Sequence, residues 1–146
     1  MIKDNSLSTL PSGYSLQNFP FVESAVYILI YKKDDVRIPF YVGETDNFHA
    51  RMRDYMIPTF AASTDFKVGE ALKYLETKGM RIEVAVRKDI TGRDKRKKEE
   101  SHMCDALRRQ GYILLNDLKG YNYTKANQVD ERHKIWLFCD RIMEVV

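Results

Sequence analysis

The chain is poor in the residues that would commit it to a metal cage, a disulfide framework or a membrane. Its 146 residues include two cysteines, Cys104 and Cys139, and three histidines, His49, His102 and His133. Neither set shows metal-ligand spacing, so zinc is not expected. Both cysteines fall on apolar faces of expected helices, which predicts buried free thiols in a reducing compartment. No apolar run approaches the length of about 18 residues needed to cross a bilayer, and no signal peptide opens the chain. The expected location is therefore cytoplasmic, with no membrane partner. Charge is also scarce in net: +3 at neutral pH is too little, by itself, to mark a nucleic-acid binder.

What is present suits one ordinary globular domain. Hydrophobic residues make up 44% and charged residues 31% of the chain, and a chain of this size buries about 68–70% of its unfolded surface. Residues 1–23, with Pro11, Gly13 and Pro20, read as an irregular arm over a single domain spanning 24–146. Strands are expected at about 24–32 and 37–43, separated by the polar run Lys32-Lys33-Asp34-Asp35, then a helix at about 46–56 capped by Thr45 or Asp46. A loop over 57–67, a helix over about 68–78 stopped by Gly79 and a third strand over about 80–88 follow. In that strand Ile82, Val84 and Val86 alternate with Arg81, Glu83 and Arg87. A helix then runs to Gln110 and is stopped by Gly111. After a loop through Tyr123, a last helix at about 129–143 carries Ile135, Phe138, Cys139 and Ile142 on one face and is expected to cover the core.

Two features stand out from this frame. Tyr27 ends Ala25-Val26-Tyr27 in the first strand, and Tyr41-Val42-Gly43 sits in the second. Arg51 and Tyr55 follow one helical turn apart, on one side of the next helix. The second feature is Glu100. It precedes Met103, Cys104 and Leu107 at i, i+3, i+4 and i+7, so it shares the face that should be buried, along with Ala106 nearby. A carboxylate seldom goes there without a partner, and a metal ion or a phosphate would supply one. Glu99 lies about 100° further round the helix, is expected to face solvent, and ranks second.

The spacing of these residues resembles the GIY-YIG nuclease family. Arg51 stands eight residues after Gly43, as in the family, and the run Tyr41-Val42-Gly43-Glu44-Thr45-Asp46-Asn47-Phe48 with Arg51 and Tyr55 is the most specific part. Ala25 replaces the family's usual glycine and Val42 its isoleucine, and neither change removes a functional group. The 13 residues between Tyr27 and Tyr41 are slightly more than usual, which predicts a longer hairpin tip. The resemblance covers about 24–122. It implies an α/β (α+β) fold in which a small, mainly antiparallel three-stranded sheet is flanked by helices, with the C-terminal helix as an addition.

The same resemblance implies a Mg²⁺-dependent (or Mn²⁺-dependent) endonuclease acting on DNA phosphodiester bonds. Tyr27, Tyr41, Arg51, Tyr55 and Glu100 would form the catalytic set, with Glu100 holding the metal and Gly43 and Asn116 in support. Asn122 competes with Asn116 for the last place, and Asn116 is favoured. Such chemistry needs an activated water, a neutralised phosphate and a stabilised leaving oxygen. One carboxylate suits a water-retaining Mg²⁺, and a guanidinium fork suits the scissile phosphate. The tyrosines would orient water and phosphate. Tyr27 is the favoured general base, although a phenol near pKa 10 needs help from a cation and the choice among the three stays open. Arg53 and the run Lys95, Arg96, Lys97 and Lys98, with Arg108 and Arg109 on the same helix, are expected to meet the DNA backbone. The chain leaves no room for a separate DNA-reading domain. A repair-type or structure-selective nuclease, a small restriction-type enzyme and a catalytically silent nucleic-acid-binding module on the same fold all remain open.

Overall fold

The computed structural model describes residues 9–17, 23–56, 63–118 and 128–144. Four antiparallel strands form the sheet: β1 (Ser15–Leu16), β2 (Ala25–Lys33), β3 (Val36–Thr45) and β4 (Arg81–Arg87), in the order β1-β4-β2-β3. The helices are α1 (Phe48–Met56), α2 (Ser63–Thr77), α3 (Arg93–Arg109) and α4 (Gln128–Met143), with a 3-10 turn at Leu115–Asp117 before α4. The mixed α/β class holds, and the strand count needs correction from three to four. The extra strand comes from the N-terminal arm. Two residues of it pair with β4 at the sheet edge, where Ser15 faces Val86 and Leu16 faces Ala85.

β2 lies inside the sheet, and its residues from Ala25 to Tyr31 are all buried. A strand buried on both faces reads as a continuous apolar run, which Ala-Val-Tyr-Ile-Leu-Ile-Tyr is. Tyr27 and Tyr31 share one face, by the period-two rule. Tyr27 meets Phe48 of α1 edge-on at 5.7 Å between centroids, and the Tyr31 hydroxyl donates to the Ile142 carbonyl of α4 at 3.1 Å. α1 and α4 therefore pack on the same side of β2.

The hairpin tip is not lengthened. Asp34 and Asp35 alone make the turn, with Asp34 at φ 55°, a left-handed conformation that aspartate tolerates. The additional spacing between Tyr27 and Tyr41 is absorbed by long strands and by a bulge. Leu29 pairs with Tyr41 but Ile30 pairs with Pro39, so Phe40 is the extra residue. A bulge on an edge strand is also where a proline costs no ladder hydrogen bond.

The helix boundaries shift for local reasons. Asn47, rather than Thr45 or Asp46, caps α1: its Oδ1 accepts the Ala50 N–H at 3.0 Å. Thr45 accepts the Asn47 N–H and donates to the Asn47 carbonyl, both at 3.1 Å, tightening the turn out of β3. α2 begins at Ser63, so the last part of the expected 57–67 loop is helical, while 57–62 lie outside the described residues. Gly79 and Gly111 end α2 and α3 at φ 85° and 96° as expected. At the latter, the Gly111 N–H bonds to the Arg108 carbonyl and the Tyr112 N–H to that of Leu107, a Schellman closure. Met103, Cys104 and Leu107 are buried on α3, and Ile135, Phe138, Cys139 and Ile142 on α4, which covers the core beside α2. Both cysteines are free and buried, and burial pushes the thiols up to about 11 at Cys104 and about 12 at Cys139. Among the described residues, no helix is long and apolar enough to cross a membrane.

Candidate active site

The register of β2 and β3 sets the first half of the site. Tyr27 faces Gly43 directly across the ladder. The Tyr27 ring crosses the space where a Cβ at position 43 would stand. Glycine is required here by the close approach of a ring, not by backbone conformation. Tyr41, two residues back on β3, lies 6.4 Å from Tyr27 between ring centroids. Tyr55, from the last turn of α1, closes the group: its hydroxyl hydrogen-bonds to that of Tyr27, either group able to donate, and it shares a further hydrogen bond with Tyr41. The three phenols thus form one connected polar cluster at the edge of the core, with Tyr27 and Tyr55 each 1% exposed and Tyr41 7%.

Burial pushes all three phenols well above their ordinary range. For Tyr27 the neighbouring Tyr41 adds to this, and the Arg51 guanidinium pulls the other way without prevailing. The resting cluster is therefore neutral: it orients and donates, and a proton leaves it only when more positive charge arrives.

α3 supplies the other wall. Tyr27, Tyr41, Arg51, Tyr55 and Glu100 all line one cavity of about 320 Å³, together with Gly43. The Glu100 carboxyl is raised above the usual range, first by burial, with Glu44 adding repulsion and Lys97 opposing it. Glu99, one residue earlier, is not turned to solvent as expected. Its carboxylate accepts the Tyr14 hydroxyl at 2.8 Å, lies 3.4 Å from Arg87 Nη1, and is only 14% exposed. Glu99 ties the N-terminal arm and β4 to α3, and Glu100 is the carboxylate left to face the cavity.

Asn116, in the 3-10 turn, makes paired hydrogen bonds to Val42: its Oδ1 accepts the Val42 N–H at 3.0 Å and its Nδ2 donates to the Val42 carbonyl at 2.7 Å. β3 is an edge strand, so Val42 has backbone groups with no strand to meet. The amide side chain stands in for one, and fixes β3 between Tyr41 and Gly43. Asn122 lies outside the described residues.

The basic residues divide. Arg96 is buried, 3.1 Å from the Glu44 carboxylate, and is a strut between α3 and β3 rather than an available cation. Lys97 lines the cavity and reaches the other Glu44 oxygen at 3.4 Å. Lys95 and Lys98 are exposed outside it, and so is Arg53, which the helical period turns away from Arg51. Arg108 is already held by Asp117 and Asp105 at 2.6 and 2.9 Å.

Two lining residues escaped the sequence reading, Glu44 and Arg93. Glu44 had a signal, because it is a charge inside a strand whose neighbours are mostly buried. Arg93 had none to separate it from the basic run behind it.

Among the described residues, no group of three or more His, Cys, Asp or Glu could cage a metal. The donors facing the cavity are oxygens: the Glu100 carboxylate, phenols and the partly engaged Glu44. That set fits a hard cation that keeps waters and takes oxygens from its substrate, and does not fit zinc. Comparison with models of known protein families, with curated proteins and with solved structures found no match.

Proposed function

We propose that this chain is a divalent-metal-dependent endonuclease that hydrolyses DNA phosphodiester bonds, a domain of the GIY-YIG type. The observation that carries the proposal is the convergence of Tyr27, Tyr41, Arg51, Tyr55 and Glu100, drawn from two strands and two helices, on one cavity. An uncommitted packing cluster has no need of a half-buried carboxylate and an arginine lining one cavity with three neutral phenols.

Arg51 would bind the scissile phosphate through its permanently charged fork. The phenols, neutral and hydrogen-bonded to one another, would hold the attacking water and a phosphate oxygen in line. Tyr27 remains the favoured proton acceptor; Arg51 draws all three phenols down against burial, and for Tyr27 the Tyr55 hydrogen bond adds to that pull. Glu100 would hold the Mg²⁺ or Mn²⁺, which would stabilise charge on the phosphate. Exposed Lys95, Lys98 and Arg53 would add sequence-independent attraction to the DNA backbone. Two buried free thiols fit a reducing compartment, which supports a cytoplasmic location.

The test is cleavage of plasmid, single-stranded and branched DNA with Mg²⁺ or Mn²⁺. Branched-only cutting would favour a repair role and discrete plasmid bands a restriction role. Glu100→Ala and Arg51→Ala should each lower the rate at least ~100-fold in a protein that stays folded. Salt-sensitive binding with no cleavage would leave only the silent nucleic-acid-binding module.

A further inference from the structure

The phenols of the cavity form a chain with an order. The Tyr55 hydroxyl stands in the middle, hydrogen-bonded on one side to Tyr27 and on the other to Tyr41. The three side chains come from α1, β2 and β3, and all of them line the cavity. Tyr27 and Tyr55 are each 1% exposed, and Tyr41, at 7%, is the most open member.

A single buried phenol is a poor proton acceptor, because burial raises the cost of any charged form. A connected chain avoids that cost. A hydroxyl carries one proton and two lone pairs, so it can take a proton on one side, give up its own on the other, and stay neutral. No other lining group is placed to do this. Arg51, Arg93 and Lys97 are donors only. Glu44 is engaged by Arg96 and Lys97, and Glu100 is the carboxylate assigned to the metal. Among the described residues, no histidine lines the cavity. In-line displacement at phosphorus has a matching need: a proton must leave the attacking water, and another must reach the departing oxygen on the opposite side.

We propose that Tyr27, Tyr55 and Tyr41 act as a proton relay, in which Tyr27 takes the proton of the attacking water and Tyr41 protonates the departing oxygen. The inference rests on reading the cavity as a phosphodiesterase site. The water oxygen bonds to phosphorus through a lone pair and gives its proton to the Tyr27 oxygen. The Tyr27 proton passes to Tyr55, and the Tyr55 proton to Tyr41. The Tyr41 proton goes to the bridging oxygen, which keeps the bonding pair as its bond to phosphorus breaks. One proton enters the chain and one leaves, so no phenolate forms, and rotation of the hydroxyls resets the chain. Tyr41 thereby gains a role of its own as general acid. Tyr55 meets neither reacting oxygen and serves as the link.

The experiment follows single turnovers on a DNA that the full-length protein cleaves with Mg²⁺, beside the same DNA with sulfur as the departing bridging atom. Sulfur leaves without needing a proton. Tyr41→Phe should slow cleavage of the oxygen DNA by ~100-fold or more, and of the sulfur DNA by less than ~10-fold, since general acid catalysis carries a factor of that order only where a proton is required. Tyr27→Phe should slow both. In mixtures of light and heavy water, the rate of the unaltered protein should depend on deuterium fraction along a curve, because several protons move together. Tyr55→Phe keeps the ring and both ends of the chain. It should lose ~100-fold in rate and straighten that curve, with DNA affinity unchanged. A straight dependence for the unaltered protein, which needs no variant, would overturn the relay. So would a Tyr41→Phe variant slowed equally on both DNAs. Either result alongside cleavage rejects the relay alone, whereas an unaltered protein that cuts no DNA rejects hydrolysis and the relay together.

Discussion

Gly43 and Tyr27 are direct cross-strand partners, and the tyrosine ring occupies the volume that any side chain at position 43 would need. The glycine lets a large buried phenol lie flat across the neighbouring strand and reach Tyr55. The motif's glycine and its first tyrosine are thus one packing unit.

Gly43→Ala should destabilise the protein by about 1–3 kcal/mol, the usual cost of overpacking a filled core. Because the ring must tilt away from Tyr55 to make room, DNA cleavage should fall more than stability does. Urea denaturation beside a cleavage assay checks both. An alanine variant as stable and active as the parent would show that the phenol cluster is not held by packing.

Glu99 and Glu100 should separate cleanly. Glu99→Gln weakens the bonds to Tyr14 and Arg87 and should cost about 1–2 kcal/mol while leaving cleavage nearly intact. Glu100→Gln should abolish cleavage and raise stability at neutral pH. The sign follows from its raised carboxyl: the folded state binds a proton more readily than the unfolded chain does. Stability therefore falls as pH rises from the ordinary carboxyl value of 4.5 through the raised folded one. The gain of the glutamine variant should be full above that window and fade as pH falls through it. Mg²⁺ should raise the melting temperature of the parent and not of Glu100→Gln.

Asn116→Ala should leave the Val42 N–H and carbonyl without their partner at an edge strand, costing about 1–3 kcal/mol. Amide hydrogen exchange at Val42 should quicken ahead of global unfolding. Unchanged protection there would mean that the asparagine is not what closes the edge.

Arg96 should behave unlike the lysines beside it. Arg96→Ala strips a largely but not fully buried carboxylate of its nearest partner and should cost about 3 kcal/mol, the lower end for such a loss, because Lys97 still reaches Glu44. Lys95→Ala and Lys98→Ala should leave the melting temperature unchanged. If each meets one phosphate, each should flatten the slope of log affinity against log salt by about 0.9.

Much of the fold is legible because its signals are local. The apolar run of β2, the alternation in β4, the stripes of α3 and α4 and the stops at Gly79 and Gly111 each depend on residues within a few positions of one another. β1 is not legible, since two residues carry no periodicity and become a strand only by pairing with Val86 and Ala85. The bulge at Phe40 escapes for a related reason: spacing shows that there are extra residues but not whether the turn or the ladder absorbs them. Asn47 outcompetes Asp46 as the cap by one position, a choice made by the path of the chain leaving β3.

The sequence by itself determined the chemical inventory and most of its addresses: two tyrosines on paired strands, an arginine and a third tyrosine one helical turn apart, and a carboxylate on an apolar face. Only the tertiary structure decided which charges are available. Arg96 lies one turn before Glu100 on the same face of α3, and it is buried because Glu44, 52 residues away, meets it there. Glu99 is consumed by Tyr14, 85 residues away, and Asn116 by a backbone pair 74 residues away. Hydrogen bonds and ion pairs act over a few ångströms in space, whatever the separation along the chain. A list of residues can therefore name the candidates, and packing determines which of them are already paired and which still face the cavity.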